Sequence, residues 1–236
     1  MTLDQSTQEI VDASHILAAE DILDAFGHVS RRSPTRSDRF LMSRSLAPAL
    51  VTTDDIVELD FDGTCVSDPS ARVFLERFIH SEIYRSRPDV AAIVHSHALS
   101  VIPFTVLDAA PVRPVFHMCG FLHGAPAPFD LADHAGPASD LLVRDPRLGA
   151  ALADHLGAAA IVLMRGHGFT AVGDGVAQAT YRAIYAAKNC TVQSAAMAMG
   201  TPLYLTGPEA EACDRAVTSQ LDRAWDLWRK ALGREK

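Results

Sequence analysis

Segments of helical period alternate with short apolar runs of strand length along the whole chain, and this alternation is what most limits its fold. Residues 7–26 place Ile10, Ala13 and Leu17 at spacings of three and four, with Glu9, Asp12 and Glu20 on other faces, until Gly27 ends the pattern. GHVSRRSPTRSDRFLMS then reads as a strand and a basic turn leading to a second strand at residues 39–43. IVELDFDGTCV reads as a hairpin around Asp62-Gly63, with Ile56, Glu58 and Asp60 alternating before it. A second helix spans 74–86 with Phe74, Phe78, Ile79 and Ile83 inward, and Arg87-Pro88-Asp89 ends it because proline disfavours helix at the residue before it. AAIVHSH at 91–97 is a short apolar strand, and loops with short strands occupy the proline-containing stretch from Pro103 to Pro137. After a helix at 147–156, AAAIVLMRGHG is a buried strand running into a glycine turn, with FTAVG continuing it. Long helices at 175–199 and 208–232 complete the chain, the last carrying Trp225 and Trp228. The class is therefore α/β, in one domain over residues 1–236, with a strand order that the pattern leaves open.

Composition narrows the function. Lys and Arg number 21 against 29 Asp and Glu, a formal charge of −8, so a general affinity for nucleic-acid phosphates is not expected. No low-complexity tract or fixed-period repeat occurs. The longest apolar stretch, around 157–164, is far short of the ~20 residues that span a bilayer. The polar, acidic opening MTLDQSTQEI has neither the basic nor the apolar region of an export signal. Cys65, Cys119, Cys190 and Cys213 form no CxxC and read as free, packed thiols of a cytoplasmic protein.

Of the ten histidines, His15, His134 and His155 read as surface or structural groups, and His80, within a helix, as a satisfied hydrogen-bonding one. His95 and His97 differ. Two apart at the end of an apolar strand, they point to the same face, close enough to hold one metal ion. The segment after them, ALSVIP, lacks the glutamate of a cupin and the continuation of an HxHxDH hydrolase, and no paired cysteines make a structural zinc site. His167, in RGHGFT, is the third candidate ligand, because glycines on both sides let the backbone approach closely and aim the ring. Three neutral imidazoles suit Zn²⁺, Co²⁺, Mn²⁺ or Fe²⁺ and leave a position open for substrate. Glu76 alone reads as a solvated helix residue, yet a helix, tight turn and returning strand could bring it over the same metal.

These residues resemble a known family. Glu76 with ERFIHSEIYRSRPDVAAIVHSHA, then RGHG and a long helix, is similar to the class II aldolase/adducin family over roughly residues 8–205, and GHVSRR at 27–32 is similar to its early G-N-x-S-x-R segment. The resemblance implies a three-layer α/β/α sandwich around a mainly antiparallel sheet, and His95, His97 and His167 as ligands of one divalent ion per subunit. It implies that Glu76 either ligates the resting metal or handles the proton. It further implies a homotetramer with active sites at subunit interfaces.

The departures from the aldolase pattern point to a branch. The phosphate-binding serines before the acidic residue are Phe74 and Leu75, the early asparagine is His28, and the phosphate segment reads MSRSLAP with Arg44 where glycine is usual. The aldolases' tyrosine acid has Phe116-His117 in its place. With HMCGFL and DLLVR, these features look more like the family's decarboxylases of hydroxy-aromatic acids, pyridine dicarboxylates or carboxy-muconate semialdehydes in aromatic-compound degradation. Arg44 would then hold a substrate carboxylate through a planar bidentate fork with Ser43 as a further substrate-binding residue, His28 would touch substrate oxygens or carboxylate, and His117 would protonate the carbon that CO₂ leaves. The alternatives are an aldolase for a non-phosphorylated hydroxy-keto acid and a non-catalytic adducin-like binding module; the complete histidine set speaks against the module. Either enzyme acts on a small-molecule carboxylate, with neither nucleic acid nor membrane as partner.

Overall fold

Thr2 starts the first helix with a reciprocal cap: its hydroxyl accepts from the Gln5 N–H while the Gln5 side chain accepts from the Thr2 N–H. The computed structural model describes residues 2–108 and 110–233. Helix α1 (Leu3–Ala19) ends earlier than its apolar pattern suggests. Asp21 takes a left-handed φ of +56°, and the N–H groups of Ile22 and Leu23 both turn back to the Leu17 carbonyl. Ile22 and Leu23 thus reach the core from a turn, which sequence periodicity cannot separate from one more helical turn.

Among the described residues six strands follow: β1 (His28–Arg32), β2 (Arg39–Ser43), β3 (Ile56–Asp60), β4 (Ala92–Ser96), β5 (Ile161–Met164) and β6 (Gly168–Gly173). They form one sheet in the order β3-β2-β1-β4-β6-β5, and every neighbouring pair is antiparallel. The helices after α1 are α2 (Arg77–Ser86), the short α3 (Ile102–Thr105) and α4 (Ala132–Ala135), α5 (Pro146–Leu156), α6 (Val176–Met199), α7 (Gly207–Thr218) and α8 (Leu221–Ala231). No helix among the described residues is long and apolar enough to cross a membrane.

Strand alternation divides the interior in two. Val29, Leu41, Ala92, Val94, Leu163 and Phe169 face one apolar cluster with α1 and α6, whereas Phe40, Met42, Ile93, Val162 and Val172 face the other with α2 and α5. This is the expected α/β/α sandwich. β4 lies between β1 and β6 and is buried over its whole length, so it reads as a continuous apolar run. The same alternation turns His28, Ser30, His95 and Thr170 to the α2 side, placing a row of polar groups inside an apolar layer.

Four expectations change. FTAVG does not continue the strand before it: as β6 it folds back antiparallel on β5 through Arg165, Gly166 and His167, with Gly166 at φ +62°. The segment expected at 74–86 becomes helical only at Arg77, leaving Phe74 and Leu75 outside and Glu76 at the boundary. The return of the hairpin after β3 is reduced to one bridge, Leu59 to Cys65. The last helix is two, α7 and α8, broken at Ser219 and Gln220. All four cysteines are free, three of them buried.

Candidate metal centre

β4 ends where the chain leaves the sheet, so His95 is its last inward residue on the α2 face and His97 follows two residues on. The β5–β6 turn delivers His167 beside them. The three Nε2 atoms form a near-equilateral triangle: 3.1 Å from His95 to His97, 3.2 Å from His95 to His167 and 3.0 Å from His97 to His167. One oxygen of Glu76 lies 3.4 Å from the His167 Nε2 and 3.6 Å from the His95 Nε2. All four atoms fall within 4.8 Å of one another. A triangle with these sides has a circumradius of about 1.8 Å, smaller than the ~2.0–2.1 Å bond from Zn²⁺ to an imidazole nitrogen, so one ion can reach all three. The N₃O donor set fits a borderline divalent metal.

The outer ring nitrogens hold the rings in the tautomer a metal needs. The His167 Nδ1–H donates to the Leu141 carbonyl at 2.6 Å, and the His95 Nδ1 lies 3.2 Å from the Thr170 hydroxyl. Leu141 takes a left-handed φ of +64°, unusual for a branched side chain, and this turns its carbonyl to His167. Two residues on, the Val143 N–H donates to the other Glu76 oxygen at 2.9 Å. The DLLVR segment therefore clamps two members of the cluster through its backbone. The sequence singles out that segment as a motif, but a backbone-mediated role leaves no side-chain signature there.

Burial pulls His95 and His97 below the ordinary histidine range, and the neighbouring imidazoles add to this effect. Burial acts the same way on His167, but the hydrogen bond and charge of Glu76 outweigh it and raise that ring. Lone pairs free of protons at neutral pH are what a metal requires of His95 and His97.

A cavity of about 490 Å³, within the usual range for small-ligand sites, opens in front of Glu76 and His97. Its wall is largely apolar, with Phe26, Leu46, Val73, Phe74, Leu75 and Leu142, and His28, Ser45 and Arg72 supply polar groups. The Phe74 ring packs 4.6 Å from that of His28. Phe74 and Leu75, which the family resemblance sets at the positions of phosphate-binding serines, line this cavity.

Other candidates stand apart from it. Arg44 is not among the lining residues: its guanidinium is paired with Asp55 at 2.6 Å, and Ser43 is buried in β2. The arginine at the cavity is Arg72, which makes no ion pair among the described residues. It lies four residues before Glu76, a position that no motif marked. His117 is exposed and lines a different cavity of about 460 Å³ with Met118, Tyr181, Tyr185 and residues of α7 and α8.

Residues 8–194 match the family described as Class II Aldolase and Adducin N-terminal domain. The Talaromyces stipitatus protein named decarboxylase tropJ is 39% identical, over 92% of this chain and 90% of that protein. The 3,4-dihydroxyphthalate decarboxylase of a Terrabacter species is 31% identical, over 75% of each. Among solved structures, L-fuculose 1-phosphate aldolase from Glaciozyma antarctica shares the fold with a TM-score of 0.79 at 24% identity, covering 98% of this chain and 92% of that one.

Proposed function

The chain belongs to the class II aldolase and adducin family, and on that premise we propose that it is a metal-dependent, non-oxidative decarboxylase of a small planar hydroxy-acid. It is an enzyme of the carbon–carbon lyase class. Candidate substrates are 3,4-dihydroxyphthalate-like, hydroxy-pyridine-dicarboxylate-like or carboxy-hydroxymuconate-semialdehyde-like acids of aromatic degradation. The observation that carries this reading is the cavity wall: an aromatic and aliphatic surface with one unpaired guanidinium stands where a sugar-phosphate enzyme would need hydroxyl donors.

A divalent ion held by His95, His97 and His167 would supply Lewis-acid stabilisation of the charge left when the carbon–carbon bond breaks. Glu76, fixed by the Val143 N–H, presents its second oxygen toward the histidines and can hold a proton there or complete the ligand set. Phe26, Phe74 and Leu75 give a planar ring an apolar surface to lie against. Arg72 holds a substrate carboxylate. Ser43 and Arg44, the latter through Asp55, instead shape the loop that carries Ser45 into the cavity; the Ser45 N–H donates to the Arg72 carbonyl. Arg72→Ala is expected to raise KM about 10- to 100-fold with little change in kcat, the loss of a charged hydrogen-bonded contact. Steady-state kinetics with an unchanged KM would remove Arg72 from binding.

His117 supplies the proton to carbon, and its place outside the cavity of its own chain is met if it serves the site of a neighbouring subunit in a cytoplasmic homotetramer. His117→Ala is expected to keep full metal content and to slow turnover about 100-fold, in the range of general-acid contributions. Unchanged turnover would exclude it.

The deciding experiment offers ortho-hydroxy aromatic and pyridine dicarboxylates to protein reconstituted separately with Mn²⁺, Zn²⁺ and Co²⁺, and measures CO₂. Metal-dependent release is the expected result. No CO₂ from the panel, with aldehyde or pyruvate formed from hydroxy-keto acids instead, would establish the aldolase reading in its place.

A further inference from the structure

Behind His28 a chain of four buried polar groups runs into the layer between the sheet and α2. The His28 Nδ1 lies 2.7 Å from the His80 Nε2, the His80 Nδ1 lies 2.6 Å from the Ser30 hydroxyl, and that hydroxyl lies 2.8 Å from the Tyr84 hydroxyl. Ser30 comes from β1, two residues beyond His28, and His80 and Tyr84 are one turn apart on α2, so both elements fix the spacing. His80 is fully buried and held neutral to a pKa of about 3, so its ring carries one N–H. Each contact in the chain shares one proton.

Three arrangements satisfy this, and in one of them Ser30 accepts from both His80 and Tyr84, which leaves its own fully buried hydroxyl hydrogen without an acceptor among the described residues. If Tyr84 donates to Ser30, Ser30 to His80 and the His80 Nε2–H to the His28 Nδ1, every buried hydrogen has an acceptor. The last hydrogen, on the His28 Nε2, faces the cavity that His28 lines. In the reverse direction the series ends on Tyr84, whose hydroxyl hydrogen has no acceptor among the described residues at a position only 1% exposed. An unpaired buried donor is the costlier arrangement. The Arg32 guanidinium, 4.9 Å from the Tyr84 ring centroid and bonded to the Tyr84 carbonyl, locks the ring at the start of the series.

We propose that His28 is held as its Nε2–H tautomer, a fixed donor to an acceptor oxygen of the substrate, and that His80 is the positioning residue that sets it through a one-way chain starting at Tyr84. The inference rests on the reading of this cavity as the substrate chamber and adds a specificity rule to it. A carboxylate, carbonyl or phenolate oxygen is accepted opposite His28, and a group offering an N–H there is rejected. Asparagine, the usual residue of the motif, can turn its amide to present donor or acceptor, whereas this histidine cannot.

The test is the ¹⁵N spectrum of histidine-labelled, full-length protein loaded with diamagnetic Zn²⁺, with His28 assigned by the loss of its signals in His28→Asn. A protonated Nε2 and an unprotonated Nδ1 are expected; the opposite tautomer overturns the proposal whatever the substrate proves to be. Two variants test His80 itself. His80→Gln keeps an amide N–H for the His28 Nδ1 and is expected to retain the tautomer, whereas His80→Leu is expected to give a mixture. With a dicarboxylate that releases CO₂, His80→Leu should lower kcat/KM about tenfold and His80→Gln should restore most of it. Equal losses in the two variants would overturn the donor role. Because the spectrum needs no turnover, failure of the decarboxylase reading and failure of this one are told apart.

Discussion

Replacing His95 with alanine is expected to leave a folded protein that neither retains a divalent metal nor turns over substrate. His95 is fully buried, and its Nε2 is within 3.2 Å of both partner nitrogens, so no other side chain can move into its place. Loss of a group that merely supports a ligand typically weakens metal binding 10- to 100-fold, and loss of the ligand itself should exceed that range. The cost in stability of the metal-free protein should be about 1–3 kcal/mol, the range of most single substitutions. Metal content after gel filtration, read beside a thermal melt, tests both parts. A variant with full metal content and normal activity would refute the assignment of the centre.

Gly168→Ala should damage stability and metal binding together. A Cβ at Gly168 would lie 2.1 Å from the Ser96 carbonyl oxygen, 3.1 Å from the Ser96 carbonyl carbon and 3.2 Å from the His97 Cα. All three obstacles are backbone, so no side-chain rotation relieves them, and β6 must move away from β4. That movement separates His167, next to Gly168, from His97, next to Ser96. Overpacking of this kind costs about 3 kcal/mol or more, which for a chain of this size is roughly a 10 °C fall in Tm. Gly175→Ala is the control, since nothing lies within 4 Å of its added Cβ. Equal melts for the two variants would show that the β4–β6 approach is looser than the distances state.

The cluster was legible because its parts obey local rules. A two-residue spacing on a strand puts His95 and His97 on one side, and glycines flanking a histidine at a strand end announce a close turn. The fold class followed from periodicity and the sandwich from the family resemblance. Other features depend on contacts between distant segments. The reversal of β6 turns on the conformation of Gly166, and a glycine in an apolar run does not say which way the chain leaves. The apolar pattern through Ile22 and Leu23 satisfies a helix and a buried turn equally. Arg44 and Arg72 look alike in sequence, and only the position of Asp55 decides which guanidinium is already paired. His80 was legible as a satisfied buried group, but its partners come from β1 and from the next turn of α2.

Strand order also carries a sequence in time. The first four strands occupy one end of the sheet as β3-β2-β1-β4, so a growing chain can assemble them before β5 and β6 have been made. At that stage β4 is an edge, with its N–H and C=O groups unpaired and two imidazoles at its end. The β5–β6 hairpin then docks by β6, covering that edge and bringing His167 in the same movement. Completion of the cluster is thereby tied to completion of the sheet: a nascent chain short of residue 167 has only two of the three histidines, and under the proposed reading an ion that requires all three rings would be captured after the vulnerable edge has closed.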